Sequence, residues 1–359
     1  MSSPRFVWCL HQPAATRWLK QDVARLRPEL RFAFSAPGLT TFKVPAAPQD
    51  DGSLPPAAEV VGSAFARASG WSLGRAADVA EVLAFADQLA DRPVRLHVFE
   101  RDPDVPADER DPALVGARPR ALEQLLRAAA PERFAAGQEA RPGEVVLDVI
   151  TPASEADAAE PVFVGWHRQH DVSGRWPGGV SHVPIPATSP SRAWAKIEEA
   201  IAWSGLTPAA GEVALEMGSA PGGASFALLE RGLTVHGIDP GRMAPAVLNY
   251  RGAGGNRFVH HALPAAKVER KALPRRIHWL ASDVNLAPMV ALKYIERLVA
   301  LLGPPLRGAF LTLKLNDDGV FDALPGLQTR IERLLPGRAR YVQLPAHRSE
   351  IVAIVESPR

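Results

Sequence analysis

The chain has almost no cysteine: Cys9 is the only one in 359 residues. A single thiol can neither close an intramolecular disulfide nor build a cysteine-ligated metal site. Its place in the apolar run Phe6–Leu10 suits a small core residue. Long apolar runs are missing too. No stretch reaches the roughly 18 uncharged apolar residues that a membrane-spanning helix needs. The N-terminus, MSSPRFVWCLHQPAATRW, has neither the apolar core nor the small-residue cleavage site of a secretion signal. These absences lead to the expectation of a cytoplasmic protein with no membrane segment and no metal site.

There is also little net charge, +2 at neutral pH, which alone says nothing about a polyanionic partner. The distribution is more informative. Residues 1–180 carry 20 Lys and Arg against 24 Asp and Glu, a net of −4, whereas residues 181–359 carry 21 against 15, a net of +6. The basic half is the one expected to meet a polyanion. With 47% hydrophobic and 22% charged residues, the chain has material for more than one folded domain.

The first half reads as an α+β region with long Pro-, Ala- and Asp-rich connections. Phe6–Leu10 predicts a strand and Thr16–Leu26 a helix, with Trp18, Leu19, Val23 and Leu26 at helical spacing. Arg31–Phe34 and Thr40–Val44 predict strands around the Pro37-Gly38 turn, and residues 45–58 a linker. Beyond it come predicted strands at Val94–Phe99, Val145–Ile150 and Val162–Trp166, a helix near Ala121–Ala129, an acidic loop over Asp102–Asp111 and a loop over 151–160. The stretch Gly165–Pro186 sets Trp166, His167, Arg168, Arg175 and Trp176 among turn-forming glycines. Arginines hold phosphates and aromatic rings stack unpaired bases. Trp166, Arg168, Arg175 and Trp176, with Arg192 just beyond, are therefore candidate RNA contacts. Packing of the same residues within an interdomain loop is the alternative.

The second half alternates strands and helices, which predicts a mainly parallel, Rossmann-like sheet covered by helices. A helix is predicted from Ser189-Pro190 to about Trp203, with serine as N-cap and proline in the first turn. Strands follow at Glu212–Met217, Leu233–Ile238, Arg257–His260, Ile277–Ser282 and Ala309–Leu315, and helices at Gly223–Arg231, Pro288–Leu302 and Phe321–Leu335. Arg340–Leu344 and Glu350–Val355 are close enough to form a terminal antiparallel hairpin. Between the first strand and its helix lies Glu216-Met-Gly-Ser-Ala-Pro-Gly-Gly223. This turn lacks the G-x-G-x-x-G of dinucleotide sites and the Lys-Ser/Thr ending of a P-loop. Its acidic residue, glycine and Pro-Gly-Gly resemble instead the loop by which methyltransferases surround S-adenosylmethionine. Asp239, closing the next strand, supplies a carboxylate able to accept two ribose hydroxyls.

Four charged residues point to one site. Asp283 ends the strand IHWLAS, and Lys314 interrupts an apolar strand, FLTLKL, where lysine is rarely placed without a reason. Glu350 opens RSEIVAIV, and Lys196 stands on a helix beside the inward-facing Trp194, Ile197 and Ile201. A hydroxyl that must attack an already activated methyl group needs a base. A lysine can serve if its pKa, about 10.4 when unperturbed, is lowered by burial or a second cation, with carboxylates orienting the ammonium groups.

In these residues the chain resembles the FtsJ/RrmJ-like ribose 2′-O-methyltransferases, whose catalytic set runs Lys-Asp-Lys-Glu, and within them the RlmM type, which acts on 23S rRNA. PSRAWAKIEEA, EMGSAPGGASFALLERGLTVHGIDPGRMAP, LTLKL and HRSEIVAI carry the resemblance across residues 187–356. It implies Lys314 as the base, with Lys196, Asp283 and Glu350 positioning and tuning it. It implies Glu216, Gly218, Ser219, Ala220, Pro221, Gly222, Gly223, Asp239 and Asp283 around S-adenosylmethionine, and 23S rRNA or a ribosome precursor as partner. It further implies a ferredoxin-like subdomain over residues 1–55, a THUMP-like RNA-binding domain and linker over 56–180, and the methyltransferase domain over 181–359. Glu216 stands where that family usually has aspartate. FVHHALPA lacks the acid often found near the adenine, a place His260 or His261 could take. Two alternatives stay open: a catalytically silent RNA-binding or ribosome-assembly protein, and a methyltransferase that modifies a base.

Overall fold

A computed structural model describes residues 6–45, 54–89, 93–102, 116–152, 160–180, 184–315 and 317–358. The chain divides into two compact units, residues 1–181 and 182–359. Each is built on a sheet of seven strands among the described residues.

The first unit runs β1 (Phe6–Leu10), α1 (Thr16–Leu26), β2 (Arg31–Ala36), β3 (Leu39–Lys43), α2 (Ala57–Val61), β4 (Ala68–Ala76), α3 (Val79–Ala86), β5 (Arg95–Glu100), α4 (Ala117–Ala129), β6 (Val145–Thr151) and β7 (Val162–Arg168). Its strand order is β2-β3-β1-β4-β7-β6-β5, with β5 and β6 parallel and the other neighbours antiparallel. Because β1 pairs with β4, one sheet continues from the 1–55 segment into the 56–180 segment. Alternation along the strands gives the sheet two apolar faces. Leu96, Leu147 and Val149 join Val82 of α3 and Leu126 of α4 in one cluster. Phe99 and Ile150 join Trp8, Leu10 and Leu39 in another.

Three elements of this unit went unread in the sequence. β4 spells ASGWSLGRA, and its glycines blur the strand signal. Gly70 is needed there, because a Cβ would come within 2.7 Å of the Trp8 ring. α3 did carry a signal: the Asp78 side chain accepts from the Glu81 N–H at 2.9 Å, and the Glu81 carboxylate accepts from the Ala77 N–H at 2.7 Å, a reciprocal helix cap. α2 is a short turn of helix that begins at the end of the predicted linker (45–58) and runs three residues beyond it. The rest of that linker (46–53), the acidic loop beyond Asp102 and residues 153–159 lie outside the described residues.

The second unit runs α5 (Ala193–Ser204), β8 (Val213–Met217), α6 (Gly223–Glu230), β9 (Thr234–Ile238), α7 (Pro245–Leu248), β10 (Phe258–His261), β11 (Trp279–Ser282), α8 (Pro288–Leu301), β12 (Gly308–Lys314), α9 (Asp318–Leu334), β13 (Arg338–Val342) and β14 (Glu350–Glu356). The order is β10-β9-β8-β11-β12-β14-β13. β10 through β12 are parallel, and β14 enters antiparallel between β12 and β13. This is the expected Rossmann-like sheet, and the terminal hairpin is present. Right-handed crossovers place the helices that follow β8 and those that follow β11 on opposite faces. Accordingly α6 packs with α5, and α8 with α9. Strands covered on both faces run continuously apolar, as in GAFLTLK and EIVAIVE, where burial breaks only at the ends.

α5 begins at Ala193, not at Pro190 as the N-cap signal predicts. The serines are used locally: Ser189 Oγ donates to the Ser191 carbonyl at 2.9 Å, and Ser191 Oγ accepts from the Ala193 N–H at 3.3 Å, so Ser-Pro-Ser forms the turn before the helix. The helix stops where predicted, at Gly205, whose N–H bonds the Ile201 carbonyl at 2.9 Å with φ of 70°.

Leu215, in the middle of β8, is completely buried. Leu215→Ala is expected to destabilise the chain by about 2–5 kcal/mol through lost burial and the cavity left behind. Urea unfolding of both proteins measures it, and a loss under about 1 kcal/mol would contradict the packing described.

Candidate active site

The strand order reverses at β8 and β11. From β8 the chain moves outward to β9 and β10, then returns to β11 on the other side. Such a switch opens a crevice beyond the carboxyl ends of the two strands, the place where open α/β sheets bind ligands. Both chemical motifs of the sequence lie at this edge. The glycine turn leaves β8, and Asp283 leaves β11.

In the turn, Gly218 takes φ of 84° and its N–H bonds the Ile238 carbonyl at 3.0 Å. A Cβ there would stand 2.6 Å from the Asp283 carbonyl oxygen, so only glycine brings the two loops this close. Ser219 is buried with its Oγ 3.7 Å from Met243 Sδ, Ala220–Pro221 is a cis peptide, and Gly222 caps the N-terminus of α6, whose first residue is Gly223. Asp239 follows β9 and faces the turn: Oδ2 accepts from the Ala220 N–H at 3.1 Å and Oδ1 from the Gly241 N–H at 2.6 Å. Each oxygen retains a lone pair, so a ribose diol fits the remaining acceptors. This donor and acceptor set, with a helix N-terminus and close backbone, suits a nucleoside-containing cofactor. His260 is held by its Nε2 on the Asp239 carbonyl at 2.9 Å, and His261 stacks on His236 with Nε2 and Nδ1 at 3.0 Å.

The four charged residues converge. Cross-strand register sets Lys314, the last residue of β12, opposite Glu350, the first of β14. Lys314 Nζ donates to Glu350 Oε1 at 2.5 Å. The other glutamate oxygen, Oε2, lies 2.5 Å from Lys196 Nζ, which donates to Asp283 Oδ2 at 2.9 Å. Lys314 Nζ is 3.9 Å from Asp283 Oδ1. Two cations and two anions thus balance within a cluster whose side chains are 11–18% exposed. Burial pushes the Lys196 ammonium down, but the charges of Asp283 and Glu350 outweigh it and its pKa is raised. Lys196 therefore remains a cation and a donor, not a base. Lys314 has one close carboxylate where Lys196 has two.

Two further residues belong to the site. Glu216 is fully buried in β8 behind the turn, hydrogen-bonded by the Ser225 hydroxyl. Burial first, and then the nearby Asp283 and Asp239 charges, push its carboxyl up to about 8, so it is protonated at neutral pH. His347, absent from the sequence-based set, lies in a 3-10 turn ahead of Arg348, which has φ of 47°. It lines a small recess with Lys196, Glu216, Ser282 and Asp283. Burial and the two ammonium charges push its ring down to about 3, which keeps it neutral. The HRSE segment marks it only by nearness to Glu350; nothing in the residue pattern distinguishes it from the other histidines.

The residues singled out as RNA contacts are differently placed. Trp166 packs against the core of the first unit, Arg168 donates to the Gly143 carbonyl at 2.8 Å, and Arg175 pairs with Glu139 at 3.0 Å. Trp176 is half-buried before the turn at Pro177–Gly179, and Arg192 is exposed ahead of α5 in the second unit. No helix among the described residues is long and apolar enough to cross a membrane.

No family model matches the chain. It is similar to the ribosomal RNA large subunit methyltransferase M of Halorhodospira halophila, 36% identical over 112 residues, which covers 30% of this chain and 31% of that protein. The protein of the same name from Ectopseudomonas mendocina is 31% identical over 192 residues, 51% of each chain. The chain thus spans 31% to 51% of the length of these relatives. Among solved structures, TrmN from Thermus thermophilus overlaps 98% of this chain and 99% of its own at 15% identity and a TM-score of 0.33, too loose a likeness to bear on function.

The state of Glu216 has a measurable consequence. Below its ordinary value of 4.5 the group is neutral whether the chain is folded or not. As pH rises towards 8 the unfolded chain releases this proton and the folded chain keeps it, so the native state loses about 1.4 kcal/mol per pH unit from this group. Glu216→Gln removes that loss. Its stability relative to the unmodified protein, from urea unfolding at a series of pH values, is expected to rise between pH 5 and pH 8. A constant difference would contradict a protonated Glu216.

Proposed function

We propose that the chain is an S-adenosylmethionine-dependent RNA ribose 2′-O-methyltransferase that acts on 23S rRNA, free or in a ribosome precursor, in the cytoplasm. The observation that carries this reading is the pair of lysines sharing Glu350 beside the glycine turn. A base nitrogen or a protein side chain would not call for such a set, whereas a ribose hydroxyl is a poor acid and does. The similarity to ribosomal RNA large subunit methyltransferases M supports an RNA substrate.

In this reading Glu216, Gly218, Ser219, Ala220, Pro221, Gly222, Gly223, Asp239 and Asp283 surround the cofactor, which supplies a methyl group already activated for transfer. The chain's own residues do the rest. Lys196, held as an ammonium by two carboxylates, orients the attacking hydroxyl. Lys314, with one close carboxylate where Lys196 has two, first releases a proton to solvent, and its neutral Nζ then accepts the 2′-hydroxyl proton as the oxygen attacks the methyl group. Glu350 fixes the spacing of both nitrogens. The neutral His347 and the protonated Glu216 add no charge to the balanced cluster. The first unit, with its ferredoxin-like (1–55) and THUMP-like (56–180) segments, holds structured RNA. Trp166, Arg168, Arg175, Trp176 and Arg192 contribute contacts to it.

Transfer of a labelled methyl group to 23S rRNA, followed by digestion to nucleosides, tests the proposal. The expected product is a 2′-O-methyl nucleoside, and Lys314→Ala is expected to lower the rate by about 10²–10⁴-fold. Label on a base, or undiminished transfer by Lys314→Ala, would overturn the mechanism, and absence of transfer by the unmodified chain would favour a silent RNA-binding protein.

A further inference from the structure

A second cluster of ionisable groups lies in the first unit, far along the sequence from the methyltransferase motifs. His97 on β5, Asp148 on β6 and His167 on β7 occupy adjacent strands. His97 is register partner of Asp148, and His167 is opposite Val146, two residues from Asp148, so all three project from one face of the sheet. Asp148 is 1% exposed and interrupts the apolar strand VVLDVIT. A carboxylate so placed is rare without a positive partner.

The outer hydrogen bonds fix which ring nitrogens face inward. His97 Nε2 lies 2.7 Å from the Gln138 carbonyl oxygen, which can only accept, so this nitrogen carries the proton. His167 Nε2 lies 3.3 Å from Gln169 Oε1. The orientation of that amide is settled, because its Nε2 donates to the carbonyls of Asp171 and Ser173 at 2.7 and 2.8 Å. His167 Nε2 therefore also carries a proton. Both Nδ1 atoms are then turned towards Asp148: His167 Nδ1 is 2.6 Å from Oδ2 and His97 Nδ1 is 3.8 Å from Oδ1. Two imidazole nitrogens and a carboxylate thus converge, their ligand atoms all within 4.8 Å of one another. Ring nitrogens held from behind by oxygen acceptors, so that the other nitrogen faces inward, are the arrangement that metal-ligating histidines adopt; without an ion, a proton bridges His167 Nδ1 and Asp148 Oδ2.

We propose that His97, Asp148 and His167 form a binding site for a divalent first-row transition-metal ion of the zinc type. Both histidines ligate through Nδ1 and Asp148 through its carboxylate. Bonds of about 2.0–2.2 Å to a tetrahedral ion set ligand atoms roughly 3.3–3.6 Å apart, near the 3.8 Å of His97 Nδ1 and Asp148 Oδ1, while His167 Nδ1 and Asp148 Oδ2 open from 2.6 Å as the ion replaces the proton between them. Imidazole and carboxylate together suit zinc better than magnesium or calcium, which take oxygen ligands. His167 is the least buried of the three, its side chain 17% exposed. The single cysteine leads to the expectation of no metal, but it excludes only a cysteine-built site; these three ligands lie scattered over 71 positions without a recognised spacing. The site is independent of methyl transfer and would tie three strands of the first unit together.

The full-length chain, stripped with a chelator, loaded with ZnCl2 and desalted, tests the proposal by its metal content. About one zinc per chain is expected for the unmodified protein, falling below about a tenth in His97→Gln and Asp148→Asn. His236→Ala, which breaks the other close histidine pair, is expected to retain its zinc. Retention below about a tenth by the unmodified chain would overturn the site, as would zinc lost in His236→Ala but kept in His97→Gln. If the variants fail to fold, the 15N imidazole spectrum of the unmodified chain decides. Zinc is expected to shift two Nδ1 resonances while their Nε2 protons remain. An unchanged spectrum would mean that Asp148 is paired only with a protonated His167.

Discussion

The second unit depends on one cross-strand pair, Lys314 against Glu350. A lysine at the carboxyl end of a parallel strand would ordinarily emerge alone into the crevice. Here β14 runs antiparallel beside β12, so its first residue lies at that same end, and the glutamate meets the lysine at 2.5 Å. Bringing charges into a largely buried site is costly, and a single pair seldom recovers the loss. The remaining pair closes the balance: Lys196 from α5 takes the second oxygen of Glu350 and is itself anchored on Asp283. Removing any member leaves an uncompensated charge among groups at most 18% exposed.

The reversal of strand order between β8 and β11 sets the glycine turn and this cluster side by side. Asp239 and the α6 N-terminus line one part of the crevice, and the lysines another. Glu216 behind them would add a third carboxylate, and burial beside Asp283 and Asp239 keeps it neutral instead. The neutral His347 likewise fills space near two ammonium groups without repelling them. The charge balance at the crevice is thus preserved by two titratable groups that remain uncharged.

Much of this architecture was legible in the sequence. The strand-helix alternation of residues 193–356, the Pro-Gly-Gly turn, and a lysine inside FLTLKL are local patterns, and local patterns survive without coordinates. Four charged residues could be assigned to one edge because a parallel sheet fixes where strand ends lie. What escaped depends on non-local contact. β4 is hidden because its glycines serve rings elsewhere in the fold, Gly70 that of Trp8, more than 60 positions away, and Gly74 that of Phe85. The start of α5 shifted because Ser189 and Ser191 bond their own backbone. The ion pair of Arg175 with Glu139 at 3.0 Å is likewise visible only in the fold. His347 gains its place only through the turn at Arg348, and the trio of His97, Asp148 and His167 exists only through strand register.

In the proposed methyl transfer, Lys314 and Glu350 act as one unit. A double-mutant cycle on kcat/KM with Lys314→Ala, Glu350→Gln and the double variant measures it directly. Groups acting together lose their function once, so the double variant is predicted to be no more than a few-fold slower than Lys314→Ala alone. Losses that simply multiply would show two independent groups and contradict the account.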